Sequence, residues 1–467
     1  MIDRILIVGY LVVLLIIGYF SGRKLKTPRE FALSDRRFNL LTMVATTFAS
    51  FLGGAVLFGV PERVYKVGII FLICFFGNAV NMLLVAYTMV DPVAKYKDAM
   101  TLGDIAYDMY GKFGRILVGV CTVILSAGVV GTQMGVIGAV GRDFLQIDSE
   151  LAIKIGCVVF IAYSGFGGIK AVALTDVFQF FVFAVILPII VSIVLQNTNG
   201  VEGLWNALPD THKTLCRADW GSYLMLMLWY CCPVFDPPFM QRILVMGERG
   251  RVITKKAFVI VAFLVIIYAI FLGILGGCAA LIPNIEPEKA FWTVVNTTLP
   301  PGLKGLVGIG ILAITMSLAD SDLNVGSISF ARDIIKTFYP QMSEKMELWL
   351  MRWSTLLFGI AAYYIAISFN DLLDIVFYFS NFWMPLIVVP MYFGFYGLKV
   401  SSRMFMIVSV LTSFATWYWI KYMPNELVVE SSMAGMLVNL ILMSLGYFYE
   451  KKYGVIFSKK QKQICKE

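Results

Sequence analysis

At 467 residues, with 59% hydrophobic and only 15% charged side chains, the chain departs from soluble domains, which are about half apolar and about one-quarter charged, and it belongs in a bilayer. Its net charge of +8 sits in short clusters between apolar runs, not in the continuous stripe of a nucleic-acid surface. One histidine, His212 in a polar loop, and eight cysteines, mostly inside apolar runs (Cys74, Cys121, Cys157, Cys231, Cys232, Cys278), argue against a zinc site, a histidine-based catalytic centre and a secreted disulfide framework.

Residues 5–20 form a marginal apolar span followed by Arg23, Lys24 and Lys26. No small-residue cleavage site follows, so a retained first helix is expected rather than a signal peptide. Further apolar spans lie at 39–60, 68–90, 116–140, 151–166, 177–195, 223–240, 257–282, 306–330, 353–369, 375–395, 404–420 and 433–449. That makes thirteen, each near the length of about 20 residues that a crossing helix needs. An odd count places the two ends on opposite sides. With the N-terminus outside, 28 of the 38 lysines and arginines fall in inner segments, as the positive-inside rule asks. The expected fold class is an all-α integral membrane protein: one polytopic domain over residues 1–467 in a plasma or inner membrane, N-terminus outside, with a short basic cytoplasmic tail. The aromatic clusters at 392–395 and 417–419 read as interfacial belts, and Arg242, Arg249 and Arg251 as inner-side topology anchors.

Two spans are interrupted. The first carries Gly53-Gly54 and ends Gly59-Val60-Pro61; the other carries Pro233 and Pro237-Pro238. Setting the first helix aside, these breaks open two five-helix halves of opposite orientation, the pattern of a secondary transporter with its site at mid-membrane. Unwound backbone there leaves carbonyls for a cation and amides for an anionic group.

A third feature is the run Ile311-Leu-Ala-Ile-Thr-Met-Ser-Leu-Ala-Asp-Ser-Asp-Leu-Asn324. Carboxylates at membrane depth are costly and usually face a water-filled cavity or a bound ion. Ser317, Asp320 and Ser321 fall at i, i+3 and i+4, so they make one strip of hard oxygen donors suited to a hard cation. The alternative is that the serines only allow close helix packing while Asp320 bonds a neighbour. Asp322 points about 100° from Ser321 and is read as structural.

The stretch Gly167-Gly-Ile-Lys-Ala-Val-Ala-Leu-Thr-Asp-Val-Phe-Gln179 resembles the signature of the sodium/solute symporter family. The resemblance continues through Thr101-Leu-Gly-Asp104, Tyr110-Gly111, Gln241-Arg242, Leu299-Pro-Pro-Gly-Leu303 and Met316–Asn324, and it covers residues 35–397. It implies a LeuT-type 5+5 inverted repeat preceded by one extra N-terminal helix, with 398–467 as accessory helices and tail. It also implies sodium as the coupling ion, with no organic cofactor. The ion would be held by the carbonyls of Ala49, Leu52 and Ile314 and the hydroxyl of Ser317. The family usually has a second Ser or Thr beside that serine. This chain has Leu318, so water, a carboxylate, a lower affinity or a proton must make up the difference. Some members bind a second sodium through residues matching Asp176, Asp320 and Ser321, and the same carboxylates suit a proton relay.

For the solute, Trp229 and Pro237 match positions in sodium/proline symporters, which implies a small amino acid such as proline. Ser50, Gly53, Asn78, Asn81 and Gln133 complete the expected pocket; Asn78 and Asn81 equally suit helix-to-helix hydrogen bonds. Asp236 either binds an amine or caps a half-helix. Sialic acid, sugar and carboxylate symport on the same fold remain open, since fold does not settle cargo. From other classes, a channel or sensor would need flux without coupling or a signalling domain. A membrane enzyme would need a motif such as H-E-x-x-H, G-x-S-x-G or a P-loop, which the chain lacks. The expected partners are the solute, sodium and the lipid bilayer, not nucleic acid.

Overall fold

Backbone amides and carbonyls must find partners within the chain wherever lipid replaces water, and among the described residues this chain meets that demand with helices alone. The computed structural model describes residues 2–21, 27–34, 38–164, 168–215, 219–369, 371–423 and 429–453; Gly167 of the signature stretch lies outside them. Polar residues at helix starts take up orphan amides. Asn39 accepts from the Thr42 amide at 2.8 Å, Thr101 from Asp104 at 3.0 Å, and Asp371 from Leu373 at 2.9 Å.

Among the described residues, nine helices are long and apolar enough to cross a membrane, or ten if the bent pair Leu40–Ala49 and Gly54–Val67 counts as one span. Of the other three expected spans, Ile2–Ser21 is helical over 20 residues, Ser149–Ser164 covers only 16, and the last is split into helices of 12 and 10 residues. The count of thirteen is therefore not reached by length and composition. The Leu102–Val140 helix starts earlier than its apolar span, because a short first piece joins it through Gly111 at φ 73°.

Both interruptions are real breaks. The first helix stops at Ala49, resumes at Gly54, and bends by 57° between them. Pro61, which the sequence grouped with this break, lies inside the second piece. In the other broken helix, Trp220–Cys231 and Pro237–Met246 flank a segment in which Phe235 takes φ 53°. Pro237 and Pro238 open the second piece, where no amide is needed.

The helix carrying the serine–aspartate strip, Leu303–Phe338, packs along Leu102–Leu145. The N-terminal helix lies against it as well: Asp3 accepts from the amides of Gly302 and Gly305 at 2.8 and 2.6 Å. At one end of the bundle Arg63 pairs with Asp371 and Asp374 at 2.7 and 2.8 Å, tying the first broken helix to Leu372–Phe395. At the opposite end Arg115, Arg332 and Lys336 are paired with Asp104, Asp333 and Glu347. The candidate site lies between these two ends.

Candidate ion and substrate site

The first break lies against the serine strip. Ser50 hydrogen-bonds to the Thr46 carbonyl at 2.8 Å, and its hydroxyl is 3.1 Å from that of Ser321. Neither the Ala49 nor the Leu52 carbonyl accepts a hydrogen bond among the described residues, as expected where a helix ends without a continuing turn. Ala49, Leu52, Ile314 and Ser317, the nominated sodium ligands, are all buried.

Asp176 sits at the centre of the polar cluster. It is fully buried and accepts hydrogen bonds from Thr46 and Ser317. A carboxylate in such a place is tolerable only when paired, and the partner is Arg242, 3.5 Å away and equally buried. Arg242 donates to Ser321 at 2.7 Å, to Thr46 at 3.1 and 3.2 Å, to the Pro238 carbonyl at 3.3 Å and to Gln241 at 3.4 Å. Its reading as an inner-side topology anchor is therefore corrected. Every residue of Pro237–Met246 is buried, so a cation on this half-helix has only protein to turn toward. A charged residue within a half-helix bounded by prolines, still some residues short of the polar loop, was the available signal.

The cluster thus joins four elements: the first half-helix through Thr46, Gly168–Gln196 through Asp176, the second broken helix through Arg242, and Leu303–Phe338 through Ser317 and Ser321. Asp320, nominated with Asp176 and Ser321, is also buried.

Beside the cluster is a cavity of about 150 Å³. Seven of the eight nominated solute residues line it: Ser50, Gly53, Asn78, Asn81, Gln133, Trp229 and Asp236. Pro237 does not; it lines a separate cleft with Met240 and Gln241, since one helical step past Asp236 rotates it about 100° away. Asp322, read as structural, is brought to the cavity together with Leu318. These two are i and i+4 on one face, turned about 100° from Ser317 and Ser321, and that spacing was the overlooked signal. Asp322 accepts one long hydrogen bond from Ser126, at 3.4 Å.

The local geometry explains the small residues. A Cβ on Gly53 would stand 2.3 Å from Leu318 Cδ2 and 3.0 Å from Gln133 Nε2, and one on Gly54 would meet Thr315 Oγ1 at 2.4 Å. Gln133 accepts the Gly54 amide at 2.9 Å, capping the resumed half-helix, while its own amide nitrogen has no partner among the described residues. Asn78 spends its amide on the Phe75 carbonyl at 3.0 Å; Asn81 Oδ1, Trp229 Nε1 and the Tyr230 hydroxyl have none among the described residues. Trp229 packs edge-on to Phe377 and Tyr230, with ring centroids 5.0 and 5.2 Å apart.

Residues 31–411 match the profile of the sodium:solute symporter family. The chain is 25% identical to sodium/proline symporter 2 of Staphylococcus saprophyticus over 99% of this chain and 96% of that one. It is 24% identical to high-affinity choline transporter 1 of Drosophila melanogaster over 78% of this chain, a match that spans only 61% of the fly protein. Among solved structures, a Na+-coupled sialic acid symporter in a substrate-bound outward-open state superposes with a TM-score of 0.82 at 17% identity, covering 96% of this chain and 97% of the other. Mhp1, a nucleobase-cation-symport-1 family transporter, superposes with a TM-score of 0.61 at 14% identity, covering 89% and 94%. Both likenesses concern the fold, which is the LeuT-type helical architecture.

Proposed function

This chain belongs to the sodium:solute symporter family, a family of transporters and not of enzymes, and from that premise we propose that it takes a small nitrogenous solute into the cell by alternating access, driven by sodium. The observation that carries this reading is the convergence of seven nominated residues on one cavity beside the first helix break. Relatives named for proline and for choline support a nitrogenous solute, from a zwitterionic amino acid to an organic cation.

In this reading the ion sits at the carbonyls of Ala49, Leu52 and Ile314 and the hydroxyl of Ser317. That hydroxyl already donates to Asp176, and an oxygen whose proton is held by a carboxylate is a stronger cation ligand. Asp176 so offsets part of what Leu318 fails to provide. The second ion place is filled from within: Arg242 bonds both Asp176 and Ser321, so one sodium accompanies each solute. We assign the core to residues 35–397 and the accessory helices and tail to 398–467, in a plasma or inner membrane with the N-terminus outside.

The test is thermal stability of the purified protein with proline or choline, each in sodium and in potassium chloride, since a ligand of the native state raises its melting temperature by mass action. A shift that requires sodium supports symport. A shift that ignores sodium and follows pH moves the coupling to protons.

A further inference from the structure

The cavity contains acid without base. Among the described residues, its lining has two carboxylates, Asp236 and Asp322, and no lysine, arginine or histidine. Arg242, the buried cation of the neighbouring cluster, directs its hydrogen bonds to Thr46, Ser321, Asp176, Pro238 and Gln241, and none to either cavity carboxylate. Asp236 stands at the N-cap position of the second half-helix yet makes no capping bond. Its place in the chain gives it a structural task that its side chain does not perform.

Other groups in the cavity also await a partner. Gln133, Tyr230 and Asn81 are 0%, 4% and 7% exposed, and each has a polar side-chain atom without a hydrogen bond among the described residues. Buried polar atoms left this way cost stability unless a ligand or water completes them. Around them stand Phe75, Trp229, Tyr230 and Phe377, rings whose faces attract a cation once water is excluded.

We propose that the solute is a small organic cation, a protonated or quaternary amine, held by Asp236 and Asp322 against the aromatic wall. The proposal rests on the symport reading above and narrows it. An anion would add a like charge to two carboxylates in a site of about 150 Å³. A zwitterion would leave its carboxyl group with neutral donors only, facing that same acid pair. A cation removes one negative charge, and the sodium ion beside Ser317 removes the other. Sodium and the solute cation together then offset the two cavity acids. Neither cation alone achieves that, which gives the coupling an electrostatic basis: the fully loaded site has the smallest charge to carry through a low-dielectric interior.

A matched trio tests this, using purified protein in sodium chloride and reconstituted vesicles: prolinamide as a cation, proline as the zwitterion with the same ring, and lactate as an anion, with choline as a quaternary probe. Prolinamide or choline should raise the melting temperature in sodium and not in potassium, proline should do so less, and lactate not at all. Asp236→Asn and Asp322→Asn should each weaken cation binding about ten- to a hundredfold, as loss of a charged hydrogen-bond partner does, and should shift preference toward proline. Transport of the cation should carry two positive charges per solute. Stronger sodium-dependent stabilisation by proline or lactate than by either cation overturns the inference and leaves symport standing. So does unchanged cation affinity in both variants. If one variant does not fold, the wild-type ranking decides alone. If no probe responds to sodium, symport fails and this inference falls with it.

Discussion

The two faces of the Leu303–Phe338 helix hold carboxylate chemistry of opposite kinds. On the serine face, Ser317 and Ser321 meet Asp176 and Arg242, and the acid arrives with its own base. On the other face, Leu318 and Asp322 look into a cavity that also receives Asp236, with no base in its lining among the described residues. In the first arrangement the buried acid and base answer each other and tie helices together. The second is incomplete, and its missing partner comes from outside. Where a buried charge is already paired, the structure explains itself; where it is not, the structure points to a ligand.

The largest effect should come from breaking the paired face. Arg242→Gln leaves Asp176 buried and unpaired and should lower stability by about 3–5 kcal/mol, read as a fall in melting temperature. Adding Asp176→Asn should restore part of that loss, and a double-mutant cycle without coupling would deny the pair its role. Next comes Gly53→Ala, whose Cβ would strike Leu318 at 2.3 Å. Overpacking of about 1–3 kcal/mol should close the cavity and weaken solute binding, and Leu318→Ala in the same chain should relieve it.

Ser317→Ala should raise the half-saturating sodium concentration roughly tenfold, the loss of about 1.4 kcal/mol, while solute affinity at saturating sodium stays near wild type. Equal loss in both measurements would place Ser317 outside the ion site. The smallest effect is Leu318→Ser, expected to improve sodium affinity a few-fold by returning a hydroxyl to the family position. An unchanged sodium dependence would mean that the shell is completed elsewhere.

Much of this was legible in the chain. The breaks were visible because Gly53-Gly54 and Pro233 with Pro237-Pro238 weaken a helix on local grounds. The strip of Ser317 and Ser321 was visible because helical periodicity is local too. Asp322 escaped because the same periodicity says which residues share a face and not what that face meets. Arg242 escaped for a related reason: the positive-inside rule counts charges by sequence position, and this one turns back into the protein.

Composition, the apolar spans and the signature around Asp176 therefore determined by themselves a helical membrane transporter with two broken helices and a strip of hard oxygen donors, since each of these follows from short-range chemistry along the chain. Only the tertiary structure decided which acids are paired. Asp176 and Arg242 are 66 residues apart and Asp236 and Asp322 are farther still, and whether a buried charge is answered by the protein or left for a ligand depends on packing between helices that no local pattern encodes.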